Sequence, residues 1–221
     1  MEKRKDPKQL MEEGWKSREN LNFEQAEKKL TKAKKLFEEQ EDFYNASECL
    51  NHLSILKKMR GMELLREAVR LGLESLKLNE EKGNKTILSK RAVASSLKTL
   101  GEFEKAEKYI KAVVENMKEN STARSEMRTD LAFNLMRRGK INEAKEQIEL
   151  AQKELEEGWE NERFPHKVIW KTKLLNYRSL IEYNLGNIDI AKELAEEMHK
   201  LAKENDLKTR LEEAKSLLEL F

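Results

Sequence analysis

Five stretches of this chain repeat one local pattern, and that recurrence limits the fold more than any single residue does. In each, an alanine stands three residues after a large apolar residue: Phe23 and Ala26, Leu65 and Ala68, Phe103 and Ala106, Ile141 and Ala144, Ile188 and Ala191. The clearest copy is LGEFEKAEKYIKAVV, Leu100 to Val114. Its later apolar residues, Tyr109, Ile110, Val113 and Val114, return every three or four positions, which predicts one buried stripe on a helix. The aligned alanines are spaced 38 to 47 residues apart, long enough for two helices and a turn per copy.

The chain in order supports that unit. Glycines at 61, 101, 139 and 186, and the Asn20 to Asn22 segment in the first copy, stand where a tight turn is expected. Polar links separate the copies: EEQED, NEEKGNK, ENSTARS and the longer EEGWENERFPHK. Pro165 is expected to begin the first helix of the fifth copy, because proline is tolerated in a first helical turn. A small residue precedes each aligned alanine by about one helix length: Gly14, Ser54, Ala94, Ala132 and Ser179. Two antiparallel helices approach closely only where side chains are short, so each is expected to face its alanine. The tail KTRLEEAKSLLELF predicts a capping helix over 207–220.

Charged residues make up 39% of the 221 and apolar ones 38%, yet the net charge is only +2. That balance, with strong apolar periodicity, predicts a folded chain rather than a disordered one. Two prolines and eight glycines leave long uninterrupted helix formers. The fold class is therefore all-α. The charge balance disfavours nucleic acid, which needs a net basic stripe. No apolar run is long enough to span a membrane, and no apolar core follows the basic start, so a cytoplasmic setting is expected. Cys49 alone cannot form an internal disulfide.

The small residue, the Gly-aromatic turn and the spaced alanines resemble the tetratricopeptide repeat family, in a variant with long repeats. LGEFEKAEKYIKAV, RRGKINEAKEQIELA, NLGNIDIAKELA and NFEQAEKKLTKA carry the resemblance, which covers roughly residues 8 to 205. It implies a single α-solenoid, a right-handed superhelix of about five helix-turn-helix repeats over 8–40, 43–82, 85–118, 121–157 and 166–205, plus the capping helix. It also implies a groove, lined by the first helix of each repeat, that binds a peptide or a partner's helix. Some members clamp the C-terminal carboxylate of heat-shock chaperones, but Met11, Trp15, Arg91 and Ser95 stand where that clamp's residues would be, so the resemblance does not extend to it.

Positions three or four from each packing residue are the expected groove: Trp15, Arg18, Asn51, Ile55, Lys58, Arg91, Ser95, Lys98, Phe133, Met136, Arg137, Asn176, Leu180 and Tyr183, with Met11 and Thr129 beside them. Its cations predict a partner protein or peptide with acidic residues. Self-association is left open, as are a peptide-sensing regulator working through solenoid curvature and, less favoured, an RNA-binding helical repeat. Cys49 and His52 have metal-compatible spacing but no second pair, and a buried structural cysteine is the favoured reading. Trp159, Phe164 and Trp170 are read as packing for the lengthened junction, with an interface anchor left open as the alternative. No nucleophile, phosphate loop or paired acid–base motif is found, so no cofactor and no enzyme activity are expected.

Overall fold

The computed structural model describes residues 6–118 and 120–221. Among them the chain forms ten α-helices and one 3-10 turn, with no strand. These are α1 Pro7–Glu19, α2 Phe23–Glu39, α3 Phe43–Glu81, α4 Ile87–Thr99, α5 Phe103–Asn116, α6 Ser121–Arg137, α7 Ile141–Gly158, the 3-10 turn Trp159–Asn161, α8 His166–Asn184, α9 Ile188–Glu204 and α10 Lys208–Leu218. The described residues are all-α, built mainly of antiparallel helix pairs within each of two units. No helix among the described residues is long and apolar enough to cross a membrane. Two compact units are present, one ending at Glu67 and the other running Ala68–Phe221.

One bond pattern ends most of the helices. A residue of positive φ follows the last turn, its N–H donates three residues back, and the next N–H donates five residues back. At the α6 end, Gly139 (φ 76) donates to the Met136 carbonyl at 2.9 Å and Lys140 to the Leu135 carbonyl at 3.0 Å. The same pairs of bonds close the ends of α1, α2, α3, α4, α8 and α9. Glycine takes the positive-φ position in four of these turns; Leu21, Glu41 and Asp206 take it in the other three. The next helix then starts two residues on, at Phe23, Phe43, Phe103, Ile141, Ile188 or Lys208.

Close approach does the rest. In the first unit, a Cβ on Gly14 would meet Leu30 Cγ at 2.7 Å, so only glycine lets α1 and α2 come this near. Leu10, Ala33, Phe37, Ala46 and Cys49 form one core cluster there, and Phe23, Ala26, Leu30 and Leu56 another. In the second unit α4 pairs with α5, α6 with α7, and α8 with α9, while α10 packs on α9. Ala94, Ala106, Ala132, Ala144, Ser179 and Ala191 are all buried, as expected for facing small residues. The Ser179 hydroxyl donates to the Ala191 carbonyl at 2.6 Å, directly across the α8–α9 pair. Asn134, fully buried, donates to the Phe103 carbonyl at 2.8 Å and ties the start of α5 to α6.

The second repeat departs from expectation. The turn expected at Gly61 is absent: α3 is one helix of 39 residues that passes straight through it. Ser54 is exposed and Ala68 only half-buried, so this pair does not make a hairpin contact like the others. Gly101, Gly139 and Gly186 each have a large apolar residue two positions on; here Glu63 holds that place. With strong helix formers on both sides, an interior glycine costs about 1 kcal/mol, too little to end a helix. Pro165, expected inside the first turn of α8, is its N-cap.

Gly61 and Gly139 therefore predict opposite responses to alanine. A Cβ at Gly61 meets nothing within 4 Å, so Gly61→Ala should raise stability by about 0.5–1 kcal/mol. At Gly139, where φ is 76, Gly139→Ala should lower it by about 1–2 kcal/mol. Urea denaturation followed by circular dichroism measures both; a loss at Gly61 would restore a turn there.

Candidate functional site

In the second unit, α4, α6 and α8 are the first helices of three successive pairs, and each sends one stripe to a common face. The stripes are Arg91, Ser95 and Lys98; Glu126, Asp130, Phe133 and Arg137; and Lys173 and Tyr177. Spacings of three and four residues put each set on one side of its helix.

Two carboxylates on α6 sit between cations from both neighbours. Arg91 reaches Glu126 at 2.8 Å, and Lys98 bonds to Asp130 from the same side. Lys173 bonds from the other side to Glu126 at 2.5 Å and to Asp130 at 2.8 Å. Burial alone would raise the Asp130 carboxyl, but the adjacent Lys173 and Lys98 ammonium groups win and hold it below the ordinary carboxylate value. Burial alone would lower Lys173, but Asp130 and then Glu126 hold it above the ordinary lysine value. Asp130 and Lys173 thus each hold the other in its charged form.

Above this ladder lies an aromatic shelf. Phe133 and Tyr177 stack with centroids 4.3 Å apart, and Phe103 meets Phe133 edge-on at 6.5 Å. Lys98 Nζ stands 5.7 Å from the Phe133 centroid and 5.5 Å from that of Tyr177. Arg137 lies 5.4 Å over Phe103. These residues line an open cleft of about 450 Å³, with Thr99, Leu100 and Gly101 at its edge. Among the described residues Arg137 has no carboxylate partner, while three cations meet two carboxylates in the ladder below it. The face thus carries a small excess of positive charge around an apolar floor.

The sequence-predicted groove residues divide. Arg91, Lys98, Phe133 and Arg137 come together here, with Ser95 exposed between the two α4 cations. Met136 and Leu180 are half-buried against the core clusters instead. Asn176 is half-buried, and Thr129 is buried with its hydroxyl donating to the Ser125 carbonyl at 2.9 Å. Tyr183 meets the Phe221 ring edge-on at 5.8 Å. In the first unit Trp15 stacks on His52 at 6.1 Å, and Asn51, Ile55 and Lys58 are exposed on α3. Arg18 is buried, bonded to His52 Nδ1 at 3.0 Å and to Glu19 at 2.5 Å. The expected row of free cations is therefore reduced: Arg18, Arg91 and Lys98 are already partnered.

Glu126, Asp130, Lys173 and Tyr177 were not picked out from sequence. Their signal was present as opposite charges at matching heights on successive first helices. Of the other candidates, Cys49 is buried, and burial pushes its thiol up to about 11. No group of three or more His, Cys, Asp or Glu among the described residues is placed to hold a metal ion. Trp159 and Trp170 pack partly against the main core, with Lys167 over Trp159 at 5.1 Å and His166 stacked on Trp170 at 5.6 Å. Phe164 is 63% exposed, so it takes no part in that packing.

Two outcomes follow. Asp130→Asn leaves Lys173 buried with half its compensation, and should cost about 3 kcal/mol in urea denaturation, against under about 1 kcal/mol for removing the exposed Glu38 partner of Lys34. Burial, and then the Arg18 charge, lower the pKa of His52 in the folded chain. The unfolded chain therefore takes the proton first, and stability contributed by neutral His52 is lost as pH falls below about 6.5. The midpoint of unfolding should drop between about pH 7.5 and 5.5, and His52→Gln should shrink that drop. An unchanged drop would show that His52 is not the responsible group.

No family model and no curated protein matches the chain. Solved structures do. A putative kinesin light chain of Podosopora anserina, described as nearly identical TPR-like repeats, covers 92% of this chain and 98% of its own at 18% identity and a TM-score of 0.46. A form of that same protein with one residue substituted covers 92% and 99% at 16% identity and a TM-score of 0.48. The structural neighbours of this chain are TPR-like repeat proteins.

Proposed function

We propose that this chain is a non-catalytic interaction scaffold whose face on α4, α6 and α8 binds a segment of another protein. The observation that carries the reading is the Phe103, Phe133 and Tyr177 shelf, three half-buried rings that line a cleft and are flanked by Lys98 and Arg137. Large aromatic rings at a surface supply binding energy through area that is shed from water on contact. The ladder beneath gives the rings a stiff base, because every charged group in it has at least one partner. The excess positive charge favours a segment that sets an acidic residue near Arg137 and an apolar one on the shelf. No pair of groups on this face is arranged as nucleophile and base, which is the reason for a binding rather than a catalytic reading.

Selection of a displayed peptide library on the purified chain tests this. Selected peptides should be enriched in acidic and apolar residues. Phe133→Ala with Arg137→Glu should weaken them by about a hundredfold in calorimetry, with helicity unchanged. Lys145→Glu, on α7, is the control and should have little effect. Peptides that bind the double variant as well as the parent would remove this face as the site.

A further inference from the structure

Helix α3 carries a second pattern that the repeat reading does not use. Ser47, Leu50, Ser54, Lys57, Gly61, Leu64, Ala68, Leu71, Ser75 and Leu78 follow one another at alternating steps of three and four residues. That is an unbroken heptad seam, with a small residue at one core position and, apart from Lys57, a leucine at the other. Phe43 extends it by one more step of four. The large members face solvent: Phe43 is 67% exposed, Leu50 51%, Leu64 63%, Leu71 52% and Leu78 56%. Buried residues of the same helix, among them Cys49, Leu56 and Leu76, lie off this seam. An amphipathic surface helix is expected to show solvent charge, not a leucine every seventh residue.

We infer that this seam is a self-association surface, and that α3 pairs antiparallel with α3 of a second copy of the chain. Three observations select that occupant. First, the alternation of small and large is self-complementary only in the antiparallel sense. Gly61 then opposes Leu64 of the other copy, Ser54 opposes Leu71, Ser47 opposes Leu78, and Leu50 opposes Ser75. Every layer joins one small and one large position, so the helices can come close without voids. A parallel pair would set leucine on leucine and serine on serine, and Lys57 on Lys57. Second, the charges agree with this register. Residues 49–62 hold Lys57, Lys58 and Arg60 with no acid, Glu27 of α2 meeting Lys57 at 2.5 Å and Arg60 at 3.9 Å, whereas residues 63–76 hold Glu63, Glu67 and Glu74 against Arg66 and Arg70, with Arg70 on Glu74 at 3.2 Å. Antiparallel pairing sets the basic half on the acidic half. Third, Lys57 meets Ala68, whose short side chain leaves room for the Lys57 stem while its ammonium stays on Glu27 of α2 at 2.5 Å. The Ser75 hydroxyl bonds to Ser89 of α4 at 2.8 Å, so α4 borders the seam at that layer.

Sedimentation equilibrium of the full chain at micromolar concentration should return twice the 26.0 kDa chain mass. Leu64→Glu with Leu71→Glu should return a single chain mass, with unchanged far-ultraviolet circular dichroism. Orientation is read separately in a Cys49→Ser background. Chains carrying Ser54→Cys mixed with chains carrying Leu71→Cys should form the mixed disulfide in preference to either like pair. A parent that sediments as a single chain overturns the proposal, and so does a dimer that survives the double substitution. Preferential like-to-like crosslinking overturns the antiparallel register. If the glutamate variant loses helicity, the crosslinking pattern decides.

Discussion

Each hairpin forms because the chain turns back within three residues and its two helices touch without clashing. Both conditions are local, and the structure meets both wherever it makes a hairpin. A positive-φ residue redirects the last carbonyls of one helix onto the N–H groups of the turn, and a short side chain then opens the contact. At α8–α9 the two conditions appear together: Gly186 turns the chain and Ser179 bonds straight to the Ala191 carbonyl. At α3 neither is met, because Gly61 stays helical and Ser54 faces solvent. One helix of 39 residues replaces the pair.

The face on α4, α6 and α8 depends on a different constraint. Burying an ion without a partner is prohibitive, so Glu126 and Asp130 on the middle helix require cations from both sides. Arg91 and Lys98 come from α4, and Lys173 comes from α8. This stitches three helices together through charge at points where their apolar residues do not meet. It also occupies most of the cations that a count of lysines and arginines would assign to ligand binding. Outside those pairs the face holds the aromatic shelf and Arg137.

Much of the fold was legible. The alanines at 26, 106, 144 and 191, the turns at 101, 139 and 186, and the helix after residue 207 are where the periodicity placed them. Less of the face could be read. Phe133, Lys98 and Arg137 were found by counting from a packing residue, but the same count missed Glu126, Asp130, Lys173 and Tyr177. Ion-pair partners 32 to 47 residues apart leave no periodic trace, only complementary charge on separate helices. The residues of α3 show a further difficulty. Ser54, Gly61 and Ala68 satisfy a hairpin pattern and a heptad pattern at once, and a local count cannot rank the two.

By itself the sequence determined the helical class, the closed turns and the small residues that let helix pairs meet. These are effects within a few turns of one helix or across one hairpin, where spacing maps directly onto geometry. Only the tertiary structure decided that α3 runs unbroken, which cations are neutralised and which rings line the cleft. Those outcomes depend on several helices brought together at once. The energy of a buried charge or of an interior glycine is set by what surrounds it, and not by its neighbours in the chain.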